Sequence, residues 1–371
     1  MERIRVEDLL PGMLVGRTVL HNDGRVLLQK NTVLTLQYIT SLKKMGFGSV
    51  YVKNSVTDID IPEVISVQAK AKVTKALNRT AKTLQTKGSV DPHLLDASVS
   101  LIISDILANP NVLMNIEDIR CYEDYLFGHC ISVCTLALMT AINMGYRDAF
   151  LKDLGIGALL HDIGMTLIDP AIINKTGALS DAEMNTVKQH TNLGYNVLKS
   201  LGEVDATCAN VAFQHHERWS GGGYPRSLSG HTIMEYARIT AIADVFDAMI
   251  SDRPYRPGRS LSDVMTILDG LSGDYFDPEI LNIFRTNIAP YPTGTLVKLN
   301  TDEIAMVLMS DRDNPFFPQI KIIIDKVGKV KPVFEQVDLS TNNNYKIIRQ
   351  LDEKESKAIL PKLRLDGSKG K

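Results

Sequence analysis

Five of the chain's eight histidines, His129, His161, His190, His215 and His216, fall between positions 129 and 216. A lone helical histidine is ordinarily a packed or surface residue. Five in one stretch, two of them adjacent and one beside Asp162, point to a shared task. His161-Asp162 follows Gly157-Ala158-Leu159-Leu160, an apolar run that buries the start of the pair. An ionised carboxylate there is costly unless it is paired or coordinates a cation. Asp244 stands in Ile242-Ala243-Asp244-Val245-Phe246, again a carboxylate within an apolar helical pattern. Imidazoles combined with carboxylates suit iron, manganese or zinc better than calcium or magnesium alone.

The elements that must position these groups are helical. Apolar residues recur at helical spacing over Val64 to Leu84, Leu94 to Leu107, Tyr122 to Met144, Leu151 to His161, Asp181 to Ser200, Ala206 to His216 and Ile233 to Ile250. Ser180 followed by Asp181 and Glu183, and Asp91-Pro92, read as helix starts. Before this region, residues 1–53 read as a small α+β unit: strands over Met13–Leu20 and Arg25–Gln29, a helix over Thr35–Met45 closed by Gly46, and a strand over Ser49–Val52. Residues 54–114 then form a linker and connecting helices, of which the one near 63–87 is a candidate for pairing in a homodimer. After Ala289-Pro290-Tyr291-Pro292 the pattern turns β-branched over Gly294–Leu299, Glu303–Met309 and Gln319–Ile324, which predicts a small β domain over 289–351. The charged, Lys-rich segment 352–371 is expected to be partly disordered. The expected fold is therefore multidomain and mainly α: a central all-α helical bundle over 115–288, with a small α+β N-terminal domain and a small β C-terminal domain.

Composition narrows the partners. At 371 residues with 44% hydrophobic and 23% charged side chains, the chain is expected to be globular and cytoplasmic. A formal net charge of -2 offers no global basic field, which argues against nucleic-acid polymers while leaving small anions open. No apolar run reaches membrane-spanning length, so no membrane insertion is expected. The four cysteines, Cys121, Cys130, Cys134 and Cys208, form no C-x-x-C pair and read as buried small hydrophobes.

His161-Asp162, His215-His216-Glu217-Arg218, Gly221-Gly222-Gly223-Tyr224-Pro225, Ala243-Asp244-Val245-Phe246-Asp247-Ala248 and Asp252-Arg253-Pro254-Tyr255-Arg256, in this order, resemble the HD-GYP family, a branch of the HD phosphohydrolases. The resemblance covers roughly residues 115–288. It implies an HD-type helical bundle holding two or three metal ions, usually iron or manganese, and cleavage of cyclic di-GMP to linear pGpG and/or GMP. The implied metal ligands are His129, His161, Asp162, His190, His215, His216 and Asp244, with His161 and Asp162 at the catalytic centre and Asp162 as the bridge between ions. Family members with a third metal place a glutamate where this chain has Tyr125, so two divalent ions are expected. Two such ions about 3.5–4 Å apart can activate water, neutralise phosphate oxygens and help the leaving group, here by attack of a metal-bridging hydroxide. Arg253 and Arg256 are the implied contacts to the second phosphate, since a guanidinium fork matches phosphate oxygens. Gly223, Tyr224 and Pro225 are expected to shape the lip of the pocket or a protein-partner surface, with Tyr224 able to stack on a base.

The family's usual lysine after the H-D-x-G run is Met165 here, and its usual aspartate after His-His-Glu-Arg-x is Ser220. Lys175, further along the same loop, is a candidate to replace the missing cation. These departures favour an alternative reading, a catalytically weak cyclic-dinucleotide sensor or scaffold, whereas the complete ligand set favours an enzyme. A third reading is a phosphodiesterase for another cyclic dinucleotide.

Overall fold

A computed structural model describes residues 2–21, 23–53, 63–86, 91–110, 112–114, 125–173, 175, 177–200, 205–251, 258–310, 312, 314–352, 355–356 and 358–359. The N-terminal unit is built from strands β1 (Glu2–Arg5), β2 (Val19–Leu20), β3 (Val26–Leu28) and β4 (Ser49–Val52) around one helix, α1 (Leu36–Met45). Strand β1 pairs antiparallel with β4, and β2 with β3. The Thr35 side chain accepts from the Tyr38 N–H to open α1, and Gly46 closes it in the left-handed region at φ 87. The expected long strand over 13–20 shrinks to β2, while Leu14 and Val15 make single bridges to Val33 and Val52.

The helical body follows: α2 (Val67–Gln85), α3 (Pro92–Ala108), α4 (Tyr125–Asn143), α5 (Asp148–Leu159), the short α6 (Pro170–Ile173), α7 (Asp181–Lys188), α8 (His190–Ser200), α9 (Ala206–Gln214), α10 (Glu235–Ile250), α11 (Leu261–Gly270) and α12 (Pro278–Arg285). Its single core joins Leu95, Val99, Ile102, Leu136, Leu154, Leu159, Phe246 and Phe284. Asp91 with Pro92, Ser180 with Glu183, Ser260, and Asp277 with Pro278 cap their helices through side-chain acceptors. The expected single helix over 181–200 divides at Gln189, whose N–H turns to Thr186 O at 3.1 Å, so that His190 opens a new helix. The apolar face of α2, with Ala69, Val73, Ala76 and Leu77, is buried against this chain's own helices. Its first turns also seat the N-terminal unit: Arg17 reaches Glu63 at 3.6 Å, Lys70 reaches Glu63 at 2.7 Å, and the Ala71 backbone packs on Gly24.

The C-terminal unit is a five-stranded antiparallel sheet, order β8-β7-β6-β5-β9, of β5 (Leu296–Leu299), β6 (Ile304–Met309), β7 (Gln319–Ile324), β8 (Val330–Asp338) and β9 (Ile347–Gln350). Val297, Val307, Ile320 and Ile322 bury one face, and Leu296, Met306, Ile323 and Ile324 the other. Strand β8 carries Pro332 and lies at an edge, where a missing N–H removes least. Among the described residues, no helix is long and apolar enough to cross a membrane.

Candidate metal centre

Helix ends place most of the site. His161 and Asp162 follow the last turn of α5, His190 opens α8 after α7, and His215-His216 follow α9. His161 Nδ1 meets the Ala158 carbonyl at 2.7 Å, His190 Nδ1 the Val187 carbonyl at 2.6 Å, and His215 Nδ1 the Val211 and Ala212 carbonyls at 3.1 and 3.0 Å. A carbonyl only accepts, so each Nδ1 carries a proton, and in the neutral ring Nε2 is left with a lone pair. The last turn of a helix supplies such carbonyls three and four residues back. One local rule thus orients three rings.

The three Nε2 atoms converge. His190 Nε2 lies 3.4 Å from His215 Nε2, and both face Asp162 Oδ1, at 3.3 and 3.6 Å. His161 Nε2 is 3.6 Å from Asp162 Oδ2. The ring of His161 stands 5.2 Å from that of His129 and 5.0 Å from that of His215, and His216 adds its ring 4.1 Å from His215. Gly164 lets this happen: a side chain there would meet the His190 carbonyl at 1.9 Å, so only glycine allows the 3-10 turn over Ile163–Leu167 to seat on the start of α8.

His129 and Asp244 come from long helices, α4 and α10. His129 Nε2 is 3.1 Å from Asp244 Oδ1, and its Nδ1 is 2.6 Å from Asp247 Oδ2. Asp244 and Asp247, three positions apart on one helix face, therefore grip both sides of the ring. Asp247 belongs to the run quoted above yet was not singled out as functional. Its signal was that spacing, together with a second carboxylate on an apolar helix.

Charge in the metal-free arrangement is distributed unevenly. Burial works against the charged form of His129, but its bonds to Asp244 and Asp247 win and hold it well above the usual histidine range. Burial pushes His161 down to about 4, and burial with the neighbouring His215 charge pushes His216 well below its ordinary value. Asp162 and Asp244 resist burial because the surrounding imidazoles hold both carboxyls below the usual carboxylate range.

In each of three overlapping groups the donor atoms lie within 4.8 Å of one another: Asp162, His190, His215 and His216; His129, His161 and Asp162; and His161, His215 and Asp244. The donor set fits transition-metal cations. His161 Nε2 provides the test: it is fully buried, carries a lone pair, and has no hydrogen-bond partner. An orphan of this kind is rare in a packed interior, and a cation among the other donors would satisfy it.

The loop after His216 is held by Glu217, a buried carboxylate whose two oxygens accept the Arg226 and Leu228 N–H groups at 2.7 and 2.9 Å. Gly223 passes so near that a side chain would meet the Arg218 nitrogen and the Glu217 Cα at 2.5 Å. Tyr224, joined to Pro225 by a cis peptide bond, is thereby laid on His216, ring to ring at 4.7 Å. Ser220 hydrogen-bonds the Asp274 side chain, a position where an aspartate would be repelled. Lys175 does not take up the role of the missing cation. It is held by Glu183 at 2.8 and 2.6 Å, in a pair that also caps α7. His231 lies against Trp219, edge to face at 5.1 Å, and is not part of the cluster. Arg253 and Arg256 lie outside the described residues.

Residues 102–280 match the family model for an HD domain, and residues 296–359 that for a KOW domain associated with HD domains. The chain is thus an HD-domain protein with an appended KOW unit. It is 32% identical over 239 residues to cyclic di-GMP phosphodiesterase PA4108 of Pseudomonas aeruginosa, a match covering 64% of this chain and 57% of that protein. It is 31% identical over 190 residues to 3'3'-cGAMP-specific phosphodiesterase 1 of Vibrio cholerae, covering 51% of this chain and 43% of that one. The chain therefore spans about half the length of these relatives. Its fold is that of Bd1817, an HDG"Y"P protein from Bdellovibrio bacteriovorus, with a TM-score of 0.51 at 17% identity over 76% of this chain and 97% of the other. The HD-domain match and the cyclic di-GMP phosphodiesterase relative support the resemblance of the motifs to the HD-GYP family.

Proposed function

We propose that the protein is a metal-dependent phosphodiesterase that hydrolyses cyclic di-GMP to linear pGpG and/or GMP. The observation that carries this reading is the convergence of imidazole Nε2 atoms on Asp162, with a buried, unpartnered His161 Nε2 among them. His129, His161, Asp162, His190, His215, His216 and Asp244 would hold two divalent ions, iron or manganese. Ions bound there would supply Lewis acidity, neutralising phosphate oxygens and activating water for in-line attack. The protein's own part is orientation. Helix-end carbonyls fix three rings, Asp247 fixes the fourth, and Glu217 with Gly223 fixes the loop that lays Tyr224 beside His216. Gly223, Tyr224 and Pro225 would wall the bound nucleotide, and Arg253 and Arg256 would contact phosphate.

The relative specific for 3'3'-cGAMP supports a second reading, in which a mixed-base cyclic dinucleotide is the substrate. Both readings use the same metal centre and differ in the base pocket. Anaerobic purification with metal analysis, followed by turnover of each cyclic dinucleotide with Fe(II) or Mn(II), tests them together. His161→Ala with Asp162→Ala should abolish metal retention and hydrolysis. Activity retained in that double variant would overturn the reading, and preference for the mixed-base substrate would select the second.

A further inference from the structure

A cyclic dinucleotide carries two phosphodiester anions, and the cluster it must approach already holds Asp162 and Asp244. Cationic side chains have to meet those phosphates. The turn after Asp162 offers none, since Met165 ends in a thioether. Beside Arg253 and Arg256, which lie outside the described residues, Lys175 is paired with Glu183 and Arg238 with Asp277, while Arg218 lies over the ring of Tyr275 at 3.9 Å.

Lys188 is placed differently. It closes α7, two residues before His190, and is half-buried. Its Nζ lies 5.3 Å from the centroid of the Tyr224 ring, the same ring that stacks on His216. Among the described residues, no carboxylate pairs with it. An ammonium held against an aromatic face gains from the ring quadrupole and keeps its donors for an anion. The α7–α8 break at Gln189 fixes its position, because His190 must open the next helix with its own ring turned to the cluster.

Resting on the activity proposed above, we propose that Lys188 is a substrate-binding residue whose ammonium meets the phosphate that is not being cleaved. It stands one aromatic ring out from His216, displaced from the reacting centre. Tyr224 acts as a positioning residue for it.

The test uses the full chain loaded with Mn(II), comparing wild type with Lys188→Met, Lys188→Gln and Lys188→Arg. KM and kcat for cyclic di-GMP are measured together with its equilibrium Kd, metal content, and turnover of bis(p-nitrophenyl) phosphate, a diester with a single phosphate. In the Met and Gln variants KM and Kd should rise about tenfold, as for loss of a charged contact. Their kcat, metal content and turnover of the single-phosphate probe should stay within twofold of wild type, and Arg should recover most of the loss. Wild type that binds or cleaves cyclic di-GMP, with Met and Gln variants indistinguishable from it, would overturn the role of Lys188 alone. An equal loss on the single-phosphate probe would also overturn it, by showing damage at the metal centre. Wild type that neither binds nor cleaves cyclic di-GMP would remove the underlying activity and this role with it.

Discussion

Asp247→Asn exchanges one carboxylate oxygen for an amide nitrogen and should weaken Mn(II) binding without unfolding the protein. Asp247 is fully buried, and its Oδ2 accepts from His129 Nδ1 at 2.6 Å and from Ser251 Oγ at 3.2 Å. The bond to His129 is charge-assisted, about twice as strong as its neutral counterpart. Losing that assistance also lowers the basicity of the opposite nitrogen, which faces Asp244 at 3.1 Å. Loss of an outer-shell partner to a metal-binding histidine typically weakens affinity about 10–100-fold, or about 1.4–2.7 kcal/mol. Asparagine keeps the shape and can still accept from Nδ1, so the effect should fall at the lower end of that range. Competition of the metal-loaded protein against a fluorescent chelator gives the affinity, and thermal unfolding of the metal-free form shows whether the core is intact. An affinity within threefold of wild type, in a normally folded variant, would refute the idea that Asp247 tunes His129.

Gly223→Ala places a methyl group on three backbone atoms within 2.6 Å, so the loop must shift and take Tyr224 off His216. A loss of at least tenfold in kcat/KM with unchanged metal content is expected, and wild-type kinetics would contradict it. Arg238→Met leaves Asp277, which is 4% exposed, without its charged partner. Breaking such a buried pair should cost about 3 kcal/mol in denaturant unfolding, and a loss below 1 kcal/mol would show that Asp277 relaxes into water. Burial pushes the Glu63 carboxyl up, but Lys70 and then Arg17 outweigh it and hold it below its ordinary value of 4.5. Its stabilising effect is therefore complete above pH 4.5 and lost as pH falls through the depressed value. Glu63→Gln should lower Tm at pH 7, with the difference shrinking in acid, and a difference that persists undiminished at acid pH would contradict this coupling.

The candidate cluster was legible because its members punctuate helices. His161-Asp162 and His215-His216 stand where an apolar periodicity stops, and a polar residue at such a stop needs a reason. Asp244 was legible as a carboxylate in an apolar run. Asp247 and Glu217 were not singled out because their partners, a histidine 118 positions away and two N–H groups of a folded loop, exist only in space. Lys188 escaped for the same reason. Helices α11 and α12, of 10 and 8 residues, are too short to show much apolar periodicity, although Ser260 and Asp277-Pro278 announce their starts. Strand β8 was hidden by Pro332 and its charged neighbours, which suit an edge with one side in water. The division at Gln189 was invisible to periodicity: its backbone stays near helical angles, φ -67 and ψ -12, so the apolar spacing runs through the break.

That division has a consequence for the site. An unbroken helix over 181–200 would give Lys188 and His190 fixed azimuths two residues, about 200°, apart, on opposite faces. The structure holds His190 Nε2 beside Asp162 and Lys188 over the ring of Tyr224. The turn at Gln189 changes the angle between them, and the long Lys188 side chain reaches the Tyr224 ring, which lies 6.4 Å from that of His190. Residues that straighten this turn should therefore separate the two functions, keeping His190 in place through its bond to Val187 while removing the ammonium from Tyr224.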